Sequence, residues 1–598
     1  MGERMLRARD TFWLTALAAV IAATAHVGWV FVRVHVLHRL VGTSRELPWF
    51  SPLSYFGCFL VVALPVAIAA RWIPTLATPR VQGTLLGTAA AIAVVLHASS
   101  LHPLAGVLLA VGVGVQGGRF VSRDASANLR LTRRATIALA ALLLAAGVPE
   151  IVLYRVQQRS ELASLPAAAA DAPNVILLIL DTVRAANVSA YGYNRLTTPT
   201  LDRLAAEGVL FEAAIAPAPW TAPSHATLLT GRYPYHAGIS YLAPMADSLT
   251  TVTEAFRANG YATGAFMGNA YYAGRRTGFD RAFVRYDDYP VSLRQAVLSA
   301  TIPQLDVVTR VVAAMPSRQL RRVLNAVRGA EFRLVGENRG DRYTAEDIVS
   351  NFSEWRDGIG THPYFALLNF FDAHAPYETP QQTRFNKGQK SVDRYDGAIH
   401  YEDTMLERLV EDLRRRGELD RTVIVVTADH GEQFGEHGLN QHGNSLYLEL
   451  LHVPLVVRAP PRVPAGRRVD SVVSLRDVPS TLLELAGLRG AKLPGTSLST
   501  YWSVAPSVMS SPALAEAEQP ENQVNRWPTS YGPMKALVTN EYHYIRRGDG
   551  EERVYAWRGD TAGRGELTAT DRGARARLES HDTFSHALGR QWTLRKAP

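Results

Sequence analysis

The chain has 598 residues, more than one ordinary domain holds, with 47% hydrophobic residues and a formal net charge of +9. Much of that positive excess is arginine flanking apolar runs before residue 160. No basic stripe interleaved with aromatic residues occurs, so the charge does not point to nucleic acid. The single cysteine, Cys58, sits inside an apolar run, which excludes an intrachain disulfide and a cysteine metal cluster.

Residues 11–32, 47–70 and 81–118 contain no Asp, Glu, Lys or Arg, and the third run is long enough for two spans with a break near 99–103. Residues 135–149 make a shorter fifth run that ends at Glu150. Because a helix needs about 20 apolar residues to cross the hydrocarbon core, the sequence predicts a transmembrane domain of about five helices over residues 1–158. The first run is too long for a signal-peptide core, and more spans follow it, so cleavage is not expected. Arg4, Arg7 and Arg9 precede the first run, Arg71 and Arg80 follow the second, and Arg119, Arg123, Arg130, Arg133 and Arg134 precede the fifth. The positive-inside rule puts these ends in the cytoplasm. The expectation is a multi-pass protein of the cell (inner) membrane whose remainder lies on the periplasmic or extracellular side. Arg33, Arg39 and Arg45 break the pattern.

Residues 159–173, rich in Ala and Pro, read as a linker. Residues 174–180 are continuously apolar and bounded by polar residues, as in a strand buried on both faces of a parallel sheet. Residues 199–208 predict a short helix, residues 261–267, 364–370, 422–427 and 453–457 further strands, and residues 392–416 a long amphipathic helix. Such alternation defines an α/β sandwich with a mostly parallel sheet, over residues 174–500. Residues 290–345 form a variable insertion, arginine-rich over 293–342, that reads equally as a lid, a membrane-surface helix or a solvated segment. Residues 501–598 form a C-terminal subdomain and tail.

Ligands of parallel sheets gather at the carboxyl ends of strands. Asp181 follows the first strand, Asp429 and His430 follow residues 422–427, and Asp372 and His374 follow residues 364–370. Thr221 and His225 lie in the block 220–231, and His442 in the block 435–443. Each alone reads as a turn aspartate or an ordinary histidine. Two carboxylates with an imidazole, however, suit a divalent cation such as Mn²⁺ or Zn²⁺.

In their order along the chain these blocks resemble the sulfatase branch of the alkaline phosphatase superfamily. The resemblance is carried by residues 174–184, 198–204, 221–231, 427–430, 451–457, 477–487 and 493–498, and by a C-terminal strand pair at 535–547 and 551–557. Typical sulfatases place Cys or Ser two residues before the Pro of Cys-x-Pro-Ser-Arg and convert it to formylglycine. Here that position is Thr221, and His225 stands where the Arg would be. A threonine nucleophile is similar to phosphoethanolamine transferases and lipoteichoic acid synthases, which also carry five N-terminal spans, and to nucleotide pyrophosphatase-type diesterases.

This resemblance implies a divalent metal ion (Mn, Zn, Ca or Mg) held by Asp181, Thr221, Asp429 and His430, with no formylglycine. It implies His374 and His442 as catalytic groups that bind substrate oxygens or a second cation, with His225 and Arg184 completing the substrate-binding set. Asp181 replaces the Glu of those transferases, and Thr182 stands where typical sulfatases have a second Asp. Thr221 is expected to head a helix, since residues 222–230 lack breakers after Pro223. The expected reaction is hydrolysis or transfer of a phosphate or sulfate ester through a covalent Thr221 intermediate. Phosphoryl transfer from a lipid or envelope ester is favoured over sulfuric ester hydrolysis. The rival from another class is a silent membrane protein that binds an anion.

Overall fold

The computed structural model describes residues 5–36, 47–95, 103–240, 244–289, 342–381, 383–385, 390–488, 490–503, 511–519, 527–558 and 566–567. Two units divide the chain: residues 1–159 with 290–342, and residues 160–289 with 343–598. The insertion expected at 290–345 lies outside the described residues up to position 341, as do Arg39, Arg45 and the tail beyond 567.

The N-terminal helices are α1 (Ala8–His35), α2 (Leu47–Ala69), α3 (Pro79–Val95), α4 (Pro103–Arg123) and α5 (Ala125–Ala163). Among the described residues, three segments are long and apolar enough to cross a membrane: Ala8–Arg33, Trp49–Ala69 and Leu104–Arg123. Three of the expected five are thus shown among the described residues. The described part of α3 is only 17 residues long. The 39 residues of α5 carry Arg130, Arg133 and Arg134 near one end and Glu150 and Arg155 further on. The helical pair α3 and α4 closes on glycine, where a Cβ on Gly114 would stand 2.0 Å from Thr88 Oγ1 and one on Gly118 2.2 Å from Thr84 Oγ1. Such small residues let helix backbones approach where no hydrophobic effect drives them together.

The second unit is built on one mixed sheet, one five-stranded antiparallel sheet and a two-stranded antiparallel pair at residues 433–434 and 440–441. Its strands are β1 (Asn174–Leu180), β2 (Val209–Ile215), β3 (Ala262–Met267), β4 (Arg285–Asp287), β5 (Tyr364–Phe370), β6 (Thr422–Thr427), β7 (Gln433–Phe434), β8 (Asn440–Gln441), β9 (His452–Val453), β10 (Leu455–Arg458), β11 (Arg467–Ser474), β12 (Ala513–Ala517), β13 (Met534–Val538), β14 (Tyr542–Arg546), β15 (Glu552–Ala556) and β16 (Glu566–Leu567). The main sheet runs β11-β2-β10-β6-β1-β5-β3-β4, with β9 on β2. Strand β10 runs antiparallel to both its neighbours, and all other pairings along that path are parallel. Hence β1, β2, β3, β5 and β6 all end on one edge. All seven residues of β1 are buried, as are all those of β5 and β6, because helices cover both faces.

Two of those helices explain their own placement. The helix α6 (Pro199–Ala206) is capped from outside, since the Asp403 carboxylate accepts from Thr200 N and Leu201 N, each at 2.9 Å. Negative charge at a helix N-terminus satisfies donors that the helix itself leaves open. The helix α7 (Thr221–Thr230) stops at Gly231, at φ 68°, where a Cβ would lie 2.0 Å from Pro494 O. The C-terminal strand pair proves to be a five-stranded sheet, β12-β13-β14-β15-β16, whose apolar face packs on Ala213 and Ile215 of β2.

Central burial sets the cost of core truncation. Leu177, in the middle of β1, is fully buried. Leu177→Ala should destabilise the unit by about 2–5 kcal/mol, read as a lowered unfolding midpoint of the purified protein. An unchanged midpoint would mean that β1 is not the packing centre.

Candidate active site

The shared strand edge gathers the chemistry. Asp181 and Thr182 follow β1, Asn269 follows β3, Asp372 and His374 follow β5, and Asp429 and His430 follow β6. From the end of β2 the chain crosses residues 216–220 and enters α7 at Thr221, with Trp220 as its extended N-cap. Thr221 Oγ1 thus stands at a helix N-terminus, where open N–H groups and the peptide dipoles favour an anion.

Asp181, Asp429 and His430 are fully buried, and one potential ligand atom from each lies within 4.8 Å of the others. Asp429 Oδ1 accepts from Thr182 N (3.2 Å) and His430 N (2.9 Å), and Asp181 Oδ2 accepts from Asn269 Nδ2 (2.9 Å). Asp181 Oδ1 and Asp429 Oδ2 are buried with no hydrogen-bond partner. Buried carboxylate oxygens without partners are costly, and a divalent cation supplies what they lack. The donor set of two carboxylates and an imidazole fits such an ion.

Burial, followed by the neighbouring Asp429 charge, pushes the Asp181 carboxyl well above its usual range. Burial pushes Asp429 up to about 7 against the hydrogen bonds it accepts, and holds His430 below the ordinary imidazole value. Thr221 Oγ1 lies 3.3 Å from His430 Nε2 and accepts from Asn269 Nδ2 at 3.2 Å, so all four expected metal positions meet at one point.

His442 and His374 come to the same place. The His442 ring is 4.6 Å from that of His430, 5.0 Å from His374 and 5.1 Å from Trp220. Its Nδ1 faces Glu432 Oε1 at 3.2 Å, and burial holds its pKa well below the usual value. Gly443 is needed beside it, at φ 76°, because a Cβ there would stand 2.4 Å from the Trp220 ring. His374 stacks on Phe371 (4.4 Å, 28°), with Nδ1 2.9 Å from Ala375 O.

Two positions depart from the expectation of substrate contact. His225 is fully buried, with Nδ1 3.0 Å from Thr221 O and 3.5 Å from Asp429 Oδ2, and its ring stacks on Phe279. One turn after Thr221 on α7, it points into the core behind the nucleophile position. Burial drives its pKa to about 4. The Arg184 guanidinium is engaged by Glu436 Oε1 (2.7 Å), Glu432 O (3.1 Å) and Asn187 Oδ1 (2.5 Å).

Three residues absent from the sequence expectation belong to the site. Asn269 bridges Asp181 and Thr221, Asn369 Oδ1 accepts from Asn269 N at 2.9 Å, and Glu432 holds His442. Asn269 follows a predicted strand by two residues, so its position was readable although its residue type carries no signal of its own.

A mostly parallel sheet thus carries a cation-competent cluster and a helix-borne hydroxyl together at its carboxyl edge, the arrangement that metal-assisted hydrolysis requires. The sequence profile of the sulfatase family matches residues 173–488, more than half of the chain, and the chain belongs to that family. A sulfatase of Formosa agariphila is 25% identical over 431 residues, 64% of this chain and 81% of that one. An uncharacterized sulfatase of Escherichia coli is 22% identical over 478 residues, 71% and 90% of the two chains. Among solved structures, the phosphonate monoester hydrolase of Agrobacterium radiobacter shares the fold at TM-score 0.50 and 20% identity, over 68% of this chain and 94% of that one. The chain is accordingly a hydrolase of the sulfatase superfamily.

The raised carboxyls give a pH signature. A buried carboxyl with a raised folded-state pKa keeps its proton on folding, so its stabilising effect is full below the unfolded value near 4 and is lost as pH rises through about 7. Chelator-treated protein should lose thermal stability from about pH 5 to about pH 8, and added Mn²⁺ or Zn²⁺ should raise the midpoint more at the higher pH. Equal shifts at both pH values would argue against a cation shared by Asp181 and Asp429.

Proposed function

We propose that this chain is a membrane-anchored hydrolase of a singly charged ester, with sulfuric ester hydrolysis its leading reaction and Thr221 its nucleophile. The observation that carries the reading is the placement of Thr221 Oγ1 at the head of α7, 3.3 Å from His430 Nε2 and beside the unpartnered oxygens of Asp181 and Asp429. The relatives named as sulfatases favour the sulfuric ester over the phosphoryl transfer that the sequence alone suggested.

A divalent cation held by Asp181, Asp429 and His430, with Thr221, supplies positive charge that lowers the hydroxyl pKa and neutralises ester oxygens. Ionised Thr221 Oγ1, its proton released to solvent, attacks sulfur, and the sulfur–oxygen bond to the alcohol breaks. His374 donates a proton to the departing oxygen, while His442, held neutral by burial, hydrogen-bonds the transferring group. Asn269 and the N-terminus of α7 stabilise the oxygens of the transferring group. Water then opens the Thr221 sulfate ester, returning the hydroxyl and releasing sulfate.

Thr221 itself favours a second reading, phosphodiester cleavage through a phosphothreonine. No aldehyde hydrate forms on threonine, and both ester classes carry one negative charge. The apolar N-terminal helices support a lipid or envelope ester as substrate. With five crossings the arginine distribution supports a catalytic unit outside the cytoplasm, because Arg119, Arg123, Arg130, Arg133 and Arg134 then stay on the cytoplasmic side.

Purified protein supplied in turn with Mn²⁺, Zn²⁺, Ca²⁺ and Mg²⁺ should turn over p-nitrophenyl sulfate. Turnover of bis-p-nitrophenyl phosphate alone would transfer the assignment to phosphodiesters, and the trapped Thr221 peptide identifies the group by accurate mass. Thr221→Ala should cut kcat by about 10³ or more while the protein stays folded, and Asp429→Asn should lose bound metal. A silent anion-binding protein would show no turnover and would tolerate Thr221→Ala, and full activity in that variant would sink the proposal.

A further inference from the structure

Residues 433–443 form a small flap whose last side chain before Gly443 is His442. Little holds it by its own structure. Its hairpin, β7 with β8, has only two residue pairs, Gln433 with Gln441 and Phe434 with Asn440. So short a hairpin is not stable alone. Five of its positions have positive φ: Gly435, His437, Gly438, Gln441 and Gly443. For His437 and Gln441 that conformation is unfavourable and must be imposed from outside. Asn440 and Gln441 are exposed.

His437 stacks on Tyr447 (3.7 Å, 9°) and lies 3.6 Å from Glu449, and the base of the flap is held by Arg184. Its Nη1 donates to Glu436 Oε1 in the flap and to Glu432 O at the flap's base, and its guanidinium lies 5.1 Å from the centre of the Phe434 ring. The other Glu436 oxygen, Oε2, accepts from Phe434 N at 2.5 Å, so the carboxylate fastens the flap to itself and to Arg184 at once. Arg184 is in turn fixed to the strand edge. Its backbone N–H donates to Tyr395 Oη at 3.0 Å, and that hydroxyl donates to Thr182 O at 2.7 Å, one residue from Asp181. Phe434 packs on Tyr395 and Tyr377, with ring centres 4.9 and 5.5 Å away.

We propose that the Arg184–Glu436 pair is a latch that fixes the 433–443 flap and thereby aims His442 at the ester bound on Thr221, which makes Arg184 a positioning residue and not a substrate contact. The inference rests on the reading of His442 as a group acting on the ester. Lysine cannot replace Arg184, because a single ammonium does not reproduce the planar fork that reaches Glu436, Glu432 O and Asn187 together.

The test uses the full-length protein and compares Arg184→Lys, Glu436→Gln and His442→Ala, singly and combined. It reads ester turnover, metal content, and hydrogen exchange of residues 433–443. Either latch variant should exchange faster over the flap, lose roughly 10–100-fold in kcat with KM little changed, keep its metal, and add no further loss to His442→Ala. Glu436 is one-third exposed, so its variant keeps the test open should Arg184→Lys fold poorly. Unchanged flap exchange, a loosened flap with wild-type kcat, or losses that multiply with that of His442→Ala would each overturn the latch. Wild-type turnover in His442→Ala would instead remove His442 from the proposed reaction, leaving flap exchange to judge the latch's hold.

Discussion

The site depends on one electrostatic constraint: two carboxylates buried at the same point without a counter-charge from the chain. Asp181 and Asp429 end adjacent parallel strands, and each keeps a buried oxygen without a hydrogen bond, that of Asp429 lying 3.5 Å from His225 Nδ1. The chain satisfies the opposite oxygens carefully, through Asn269 for one and two backbone amides for the other. This selective satisfaction is what a fold does when the remaining oxygens are reserved for a ligand that it does not itself provide. Burial drives both carboxyls towards protonation, with the Asp429 charge adding to the effect on Asp181, and a cation bound between them would reverse that shift.

From that point the positioning runs outward through backbone. Register between β1 and β6 pairs Ile179 with Thr427 and sets the two aspartates side by side. The parallel direction of β2, secured by the antiparallel β10 between it and β6, delivers Thr221 to the same edge. The α7 helix then holds its hydroxyl by backbone geometry, with His225 packed one turn below as a buried brace. The flap adds a loop rich in positive φ to the buried carboxyl edge of the sheet. Loops carried on a rigid scaffold are where catalytic groups are usually placed, and here ion-pair and ring contacts take the place of a core.

How legible all this was depends on burial. Strands β1, β5 and β6 are buried on both faces, so their uniform apolar runs marked both ends in the sequence. Strand β2 carries half-buried Glu212 in its middle, and the edge strand β11 begins Arg467-Arg468, so neither shows a clean period, and both were missed. The metal-type residues were readable because Asp, His and Thr are chemically distinctive after a strand. Asn269 and Asn369 are not distinctive, and only their neighbours reveal them. Arg184 and His225 were read by family position, but that reading carries no information about rotamer or partner. Of the five expected spans, three are carried by helices long and apolar enough among the described residues, because charge-free runs mark apolar helices directly.

The replacement of a carboxylate at position 182 bears on which ester the site suits. Thr182 sits at φ 64°, and its hydroxyl turns into the backbone, donating to Asp181 O (2.6 Å) and Ala373 O (3.0 Å). The cluster therefore holds two carboxylates where an aspartate at this position would have made three. Two carboxylates and one divalent ion leave no net charge, and the nearby imidazoles are held neutral by burial. In the proposed reaction the ionised Thr221 then brings one negative charge, offset by the α7 N-terminus and the Asn269 amide. A doubly charged ester would meet no matching cation among these groups, whereas a sulfate monoester or phosphodiester asks only for neutral donors and a dipole. With that charge on Thr221 counted, the threonine at position 182 would favour the same singly charged esters in the proposed reaction.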